Sequence, residues 1–260
     1  MPCETALSAE TILHECPRLG PDDCFTFRCG PDLDCFGHCC QDVTIVLTPY
    51  DVLRLKRALG VDSSEFLEEH TLAPRLPGQK FPIVILKMDE ETKKCPFLGA
   101  EGCGVYADRP WACRMYPLGT AEPKAPTPDD RAFHFVIHED LCHGHGQDAP
   151  VSVREWTVRQ GAEEFEMMNA GFKDLTLHDF WDGKHNLTDK QADMFYMACY
   201  DLDRFRRFVF ETRFLQLFDV DEARVEALRS DDQELLEFAM QWLRFSLFGE
   251  RSMRLRRNGK

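Results

Sequence analysis

The residues most able to do chemistry in this chain are its cysteines. The stretch CFGHCC, residues 35 to 40, puts three of them into six positions. It ends in the vicinal pair Cys39–Cys40, and Cys29 lies just upstream. A second group, Cys95, Cys103 and Cys113, lies in CPFLGAEGCGVYADRPWACRMYP, and Cys142 follows in LCHGHG. Soft thiolates suit zinc, and they suit iron in iron–sulfur clusters. Four sulfurs must converge at about 2.3 Å on one zinc ion, or around one cluster. Close spacing on turns keeps the entropic cost of that convergence low. Gly30, Gly37, Gly102 and Gly104 stand beside these cysteines, where the backbone has to bend inward. Eight thiolates suffice for two four-thiolate sites, or for one site with spare thiols.

Other roles for the thiols leave different traces. Buried free cysteine is a small hydrophobe. That role fits Cys199 on an apolar helical pattern, but not CFGHCC, whose flanks are polar and turn-forming. A nucleophile is conceivable beside His38, or at Cys142 with His143 and His145 following. One nucleophile leaves the other clustered thiols unexplained, whereas metal ligation accounts for the group. Cys3, Cys16 and Cys24 lie at no recognisable ligand spacing and read as structural or incidental.

Composition narrows the setting. A chain of 260 residues can bury a sizeable core without covalent help. Forty-five acidic against 31 basic side chains give a net charge of −14, which repels phosphate backbones and argues against nucleic acid as a general partner. The tail GERSMRLRRNGK, with Arg251, Arg254, Arg256, Arg257 and Lys260, is locally basic and reads as a frayed, solvated terminus. The opening MPCETALSAETILHEC is acidic and lacks an apolar core of the secretory type. No run approaches the ~18 apolar residues of a membrane span. The expected location is therefore cytoplasmic, with no membrane partner. Thiols stay reduced there, which argues against disulfide staples.

The elements that must position the cysteines are short. Residues 1–24 read as a turn-rich, weakly structured lead-in, and 25–150 as a loop-rich cysteine domain. VTIVL (43–47), KFPIVILKM (80–88), CGVY (103–106) and RAFHFVIH (131–138) read as extended. Thr48, Pro49 and Asp51 predict a capped helix start, with Gly60 as its stop. SSEFLEEH (63–70) predicts a second helix, and AEPKAPTPDD (121–130) an exposed loop. From 151 to 260 a helical region is expected. Ser152 with Glu155 opens one helix, ending near Gly171. Thr188 with Gln191 opens a long one carrying Phe195, Ala198, Leu202, Phe205 and Val209, and Ser230 with Gln233 opens the last, stopping at Gly249. The aromatic stripe of residues 205–218 reads as core. The fold class is α+β: a loop-rich, cysteine-ligated metal domain with short strands, followed by a C-terminal helical region.

The blocks FRC…C…CC, then LTPYDVLRL, then CPFL and DRPWACRMYP, resemble the YkgJ-type cysteine-cluster family, whose core is CxxCxxCC. The similarity runs over about residues 25–145 in the same order. The family's first spacings are usually two and two residues; here five residues separate Cys29 from Cys35, and three separate Cys35 from Cys39. The resemblance implies zinc or iron chelation by Cys29, Cys35, Cys39, Cys40, Cys95, Cys103 and Cys113. The spacing and glycine-rich flank of Cys142 add it to the set. Arg109 and Arg114, flanking Cys113, are placed either to offset thiolate charge or to support the fold. Tyr106 and Tyr116 are candidate hydrogen-bond donors to sulfur.

The expected function is that of a cytoplasmic, bacterial metal-binding protein holding an iron–sulfur cluster or zinc. Two alternatives belong to other classes. The same broad family is similar to flagellin lysine-N-methylase, which would imply an S-adenosylmethionine-dependent enzyme, although no glycine-rich cofactor fingerprint is present. A metal-stabilised assembly protein would instead expose an apolar face on the helix of residues 189–218 toward a protein partner.

Overall fold

The computed structural model describes residues 3–4, 12, 16–124, 127, 131–183 and 185–256. The protein is α+β, with 45% helix and 14% strand. Among the described residues the strands are β1 (Cys3–Glu4), β2 (Cys24–Phe25), β3 (Val46–Leu47), β4 (Thr71–Leu72), β5 (Val84–Leu86), β6 (Leu98–Gly99), β7 (Gly102–Cys103), β8 (Leu118–Ala121), β9 (Phe133–His138) and β10 (Val151–Ser152). The helices that matter below are α1 (Pro49–Leu59), α2 (Ser63–His70), α3 (Trp111–Met115), α4 (Val153–Arg159), α5 (Ala162–Met168), α6 (Ala170–Thr176), α7 (Asp189–Cys199), α8 (Leu202–Glu211), α9 (Phe214–Leu217), α10 (Glu222–Ser230) and α11 (Asp232–Phe248). None of them is long and apolar enough to cross a membrane. The chain divides into two compact units, residues 1–45 with 88–164, and residues 46–87 with 165–260.

The first unit contains the clustered cysteines and three small sheets. In one, β9 is central, with β1 parallel on one edge and β8 antiparallel on the other. In the second, β10 pairs antiparallel with β2, Val151 opposite Phe25. The third is the tight β6–β7 hairpin, with Leu98 opposite Cys103. The apolar centre of this unit gathers Phe25, Phe27, Met115, Leu118, Val151 and Val153. Phe25 and Phe27 each meet the Trp156 ring edge-on at 5.7 Å, and Phe27 meets Tyr116 in the same manner. The residue just after Phe27 and Arg28 is Cys29, so this aromatic core anchors one end of the first cysteine group.

The second unit is mostly helical, with the small sheet β3–β5–β4. Thr48 and Asp51 form the expected reciprocal cap at the start of α1, and Gly60 ends it in a left-handed conformation with φ 71°. The aromatic stripe is core: Phe205, Val209, Phe214 and Phe218 are buried, and Phe205 and Phe214 lie 5.5 and 5.8 Å from the Trp242 ring of α11. The inner face of α7 and α8, including Phe195, Ala198 and Leu202, is buried as well. An apolar face exposed for a partner is therefore not what these helices present.

Several elements differ from the sequence expectation, each for a local reason. The helix opened by Ser152 stops at Arg159, because Gly161 turns left-handed at φ 62°. The chain then continues as α5 and α6, and Gly171 lies inside α6 instead of ending a helix. The long helix after Thr188 is split into α7 and α8. Asp201 causes the break: its carboxylate accepts from the Arg204 amide and from the hydroxyls of Ser63 and Ser64, which draws the backbone out of the helix. Asp231, not Ser230, caps α11, and Ser230 closes the unforeseen α10. CGVY is paired only at Cys103 and then turns into a short 3-10 segment, Tyr106–Asp108. Of VTIVL only Val46–Leu47 is paired.

The described parts of both terminal segments are better held than expected. Cys3–Glu4 joins the β9 sheet, and Leu19 exchanges backbone hydrogen bonds with His134 at 2.7 and 2.9 Å. The basic tail is tied back as far as Arg256, whose amide donates to the Leu217 carbonyl at 2.8 Å and whose Nε donates to Phe218 O at 3.1 Å. Arg257 and Lys260 lie outside the described residues, as does much of the 121–130 loop.

Candidate metal centre

The first cysteine group is folded by turns. Gly37 adopts φ 82°, a conformation that favours glycine, and starts the 3-10 turn His38–Cys40. Backbone hydrogen bonds from His38 to Cys35 O and from Cys40 to Gly37 O fix this turn. Cys142 arrives from the far side of the sequence. The Arg28 amide donates to Gly144 O at 3.1 Å, and the Gly146 amide donates to Thr26 O at 3.1 Å, so residues 26–28 and 144–146 run side by side. That pairing sets Cys29 beside Cys142.

Cys29, Cys35, Cys39 and Cys142 line one cavity of about 200 Å³, together with Tyr116 and Glu139. Burial first, and then the neighbouring sulfurs of Cys39, Cys142 and Cys35, push the Cys29 thiol up to about 11. Cys39 is raised as well, by a hydrogen bond with Cys40, by burial and by the charges of Cys40 and Glu139. Burial and neighbouring charge thus both favour the neutral form of these two thiols. The side chains of Cys39 and Cys40 interact with each other.

The second cysteine group borders the first. The Cys95 amide donates to Cys40 O at 2.8 Å, continuing an antiparallel bridge between Gln41 and Lys94. Burial and then the charge of Cys103 act on the Cys95 thiol, which is raised. Cys103 is paired through β7 with Leu98, whose amide in turn donates to Cys95 O at 3.0 Å. Cys113 sits on α3 at an exposed position. The structure thus gathers four of the eight sequence-chosen cysteines at one cavity, places Cys40 against Cys39, and pairs Cys95 with Cys103.

The second-layer residues divide. The Tyr116 hydroxyl donates to Glu139 Oε2 at 3.0 Å. Burial and then the Cys142 side chain raise its phenol. Tyr116 therefore joins the aromatic core to the cavity, with its proton on the Glu139 carboxylate and not on a sulfur. Tyr106 instead lies under the Arg109 guanidinium, 3.8 Å from ring centre to Cζ, and is well exposed. Arg114 donates to the carbonyls of Arg109 at 3.0 Å, Gln160 at 2.8 Å and Ala107. Arg109 donates to Tyr106 O and to the Gln160 side chain at 2.6 Å. Of the two roles open to these arginines, the fold-supporting one is what their hydrogen bonds serve.

Two cavity neighbours escaped the sequence reading. Glu139 carries no motif, and only its position three residues before Cys142 hints at a shared turn. Asp34 precedes Cys35 directly, and its Oδ1 lies 2.7 Å from Nδ1 of His143. The disulfide expectation also fails at one place: Cys16 is disulfide-bonded, whereas Cys24, Cys29, Cys35, Cys39, Cys40, Cys95, Cys103, Cys142 and Cys199 are free thiols.

The span of this arrangement, from Arg28 to His143, is what comparison with known families picks out. Residues 28–143 match the family model CxxCxxCC, "Putative zinc- or iron-chelating domain". The match begins one residue before Cys29 and ends one residue after Cys142, and it is the family the motifs resemble. No curated protein and no solved structure matches the chain. By donor chemistry, thiolates suit either named metal, a structural zinc ion or an iron–sulfur cluster; among the described residues, the group whose ligand atoms lie within 4.8 Å of one another is Asp34, Cys35 and His143.

Proposed function

We propose that the first unit, residues 1–45 with 88–164, is a metal-binding domain in which Cys29, Cys35, Cys39 and Cys142 chelate one centre, a zinc ion or an iron–sulfur cluster. Cys40, Cys95, Cys103 and Cys113 are the remaining ligand candidates of the same domain. The observation that carries this is that four cysteines, from two separate stretches of chain, line one cavity inside the span matched by the chelating family. Tyr116 and Glu139 serve the centre indirectly, by holding Cys142 in place. A reducing, cytoplasmic setting goes with this reading, because thiolate ligands have to stay reduced.

The experiment is metal and acid-labile sulfide analysis, with a visible spectrum, on protein purified without oxygen. Iron with sulfide and a broad band near ~400 nm identifies a cluster. Zinc in a colourless sample identifies a closed structural site. Protein with neither metal at stoichiometric level would refute chelation.

A further inference from the structure

At the rim of the thiol cavity three unlike donors meet. His143 Nδ1 lies 2.7 Å from Asp34 Oδ1, and the His143 backbone amide donates to Cys35 Sγ at 3.3 Å. One ligand atom from each of Asp34, Cys35 and His143 lies within 4.8 Å of the others. The Asp34 and His143 side chains are 78% and 57% exposed, whereas Cys35 is buried. Solvent therefore reaches the group from the oxygen and nitrogen side, and the sulfur faces inward, where it also lines the thiol cavity.

We propose that Asp34, Cys35 and His143 form a second cation site, which takes zinc and shares the Cys35 thiolate, as a bridging ligand, with the four-thiol centre. The donor chemistry selects the metal. Magnesium and calcium prefer oxygen alone, and copper(I) prefers sulfur alone. Zinc accepts thiolate, imidazole and carboxylate together. Three protein donors leave one tetrahedral position open to water, so this zinc exchanges with solvent more readily than one closed in by four sulfurs. Because Cys35 belongs to both donor sets, the rim is where an incoming ion first meets a sulfur of the cavity. The proposal shares only Cys35 with the four-thiol reading and has its own test.

That test is a zinc titration of the metal-free, reduced full chain against a chromophoric chelator, on the native protein, on Asp34→Asn/His143→Gln and on Cys39→Ser/Cys142→Ser. The native protein is expected to bind a tight zinc and a further, weaker equivalent. Asp34→Asn/His143→Gln should lose the weaker equivalent and keep the tight one. Its two exposed side chains can be replaced without opening a core, and circular dichroism checks the fold. Cys39→Ser/Cys142→Ser should do the reverse. Should that variant fail to fold, the His143 imidazole resonances of the native protein are followed instead, and they should shift only during the weaker step. A rim variant that titrates like the native protein, or a His143 ring unmoved through saturation, would overturn the proposal. Tight zinc persisting in a folded Cys39→Ser/Cys142→Ser would contradict the four-thiol centre while leaving the rim site standing.

Discussion

The Arg28 amide and the Gly144 carbonyl lie 3.1 Å apart, and this one hydrogen bond sets Cys29 next to Cys142 across more than a hundred residues of chain. Gly144 permits the approach because it has no side chain: a Cβ there would lie 2.2 Å from Arg28 O and 2.9 Å from the Phe27 ring. Both contacts are too close for any rotamer to relieve, so the two segments would have to separate. Gly144→Ala is therefore expected to destabilise the first unit by about 1–3 kcal/mol. It should also weaken metal retention, although no ligand is altered. Urea unfolding with parallel metal analysis checks this, and a variant of native stability and metal content would contradict it.

Acid should unfold the second unit through a defined cluster. Lys56 Nζ lies 2.7 Å from Asp203 Oδ2 and 3.3 Å from Asp232 Oδ2, and Arg206 bonds both carboxylates. Burial alone would raise Asp203 and Asp232. The hydrogen bonds and charges of Lys56 at Asp203, and of Arg206 and Lys56 at Asp232, outweigh it and hold both below their ordinary value. A carboxylate depressed on folding contributes stability that is fully present above its unfolded pKa of about 4, and loses it as pH falls through the folded value. Unfolding free energy should thus be flat near neutrality and drop below about pH 4, less steeply in Asp203→Asn. An equal drop in native and variant proteins would rule this cluster out as the cause.

Removing the shared cation tests the same cluster from the other side. Lys56→Ala leaves two poorly solvated carboxylates facing each other, with Arg206 between them and Arg57 at Asp232 as the remaining cations. A loss of about 3 kcal/mol is expected at pH 7, shrinking as the carboxylates protonate. Denaturant titrations at pH 7 and pH 4 measure both quantities. A loss that does not depend on pH would mean that packing of the lysine stem, and not charge, is what matters.

Arg114 gives a prediction that separates support from electrostatics. Its guanidinium satisfies three carbonyls around residues 107–109 and 160, and Lys cannot reach all three. Arg114→Lys should cost about 1–3 kcal/mol while metal binding at the proposed Cys29, Cys35, Cys39 and Cys142 centre is unchanged. Thermal unfolding and metal analysis decide it. Unchanged stability with lost metal would return Arg114 to the role of charge partner for the thiolates.

What the sequence could reveal tracks the range of the interaction involved. The cap of α1 by Thr48 and Asp51, its stop at Gly60, and the cap of α7 by Thr188 and Gln191 depend on residues at most a few positions apart, and they were legible. The break at Asp201 was not, because its cause is the serines of α2, far away in sequence. The cysteines announced themselves by clustering, and the type of donor follows from their chemistry. Which of them share a cavity does not, since that depends on the Arg28–Gly144 pairing. Asp34 and Glu139 were hidden for the same reason: an acidic residue beside a turn is ordinary until the fold brings His143 or Tyr116 to it.

The most direct test of the central claim is the metal-to-protein ratio of Cys29→Ser/Cys142→Ser, purified without oxygen alongside the native chain and Cys24→Ser. Cys24 is free and exposed, and Cys29 and Cys142 line the cavity. The account predicts stoichiometric zinc or iron in the native chain and in Cys24→Ser, and its loss from the double variant. A double variant that keeps its full complement of metal would contradict the assignment of the centre to this cavity.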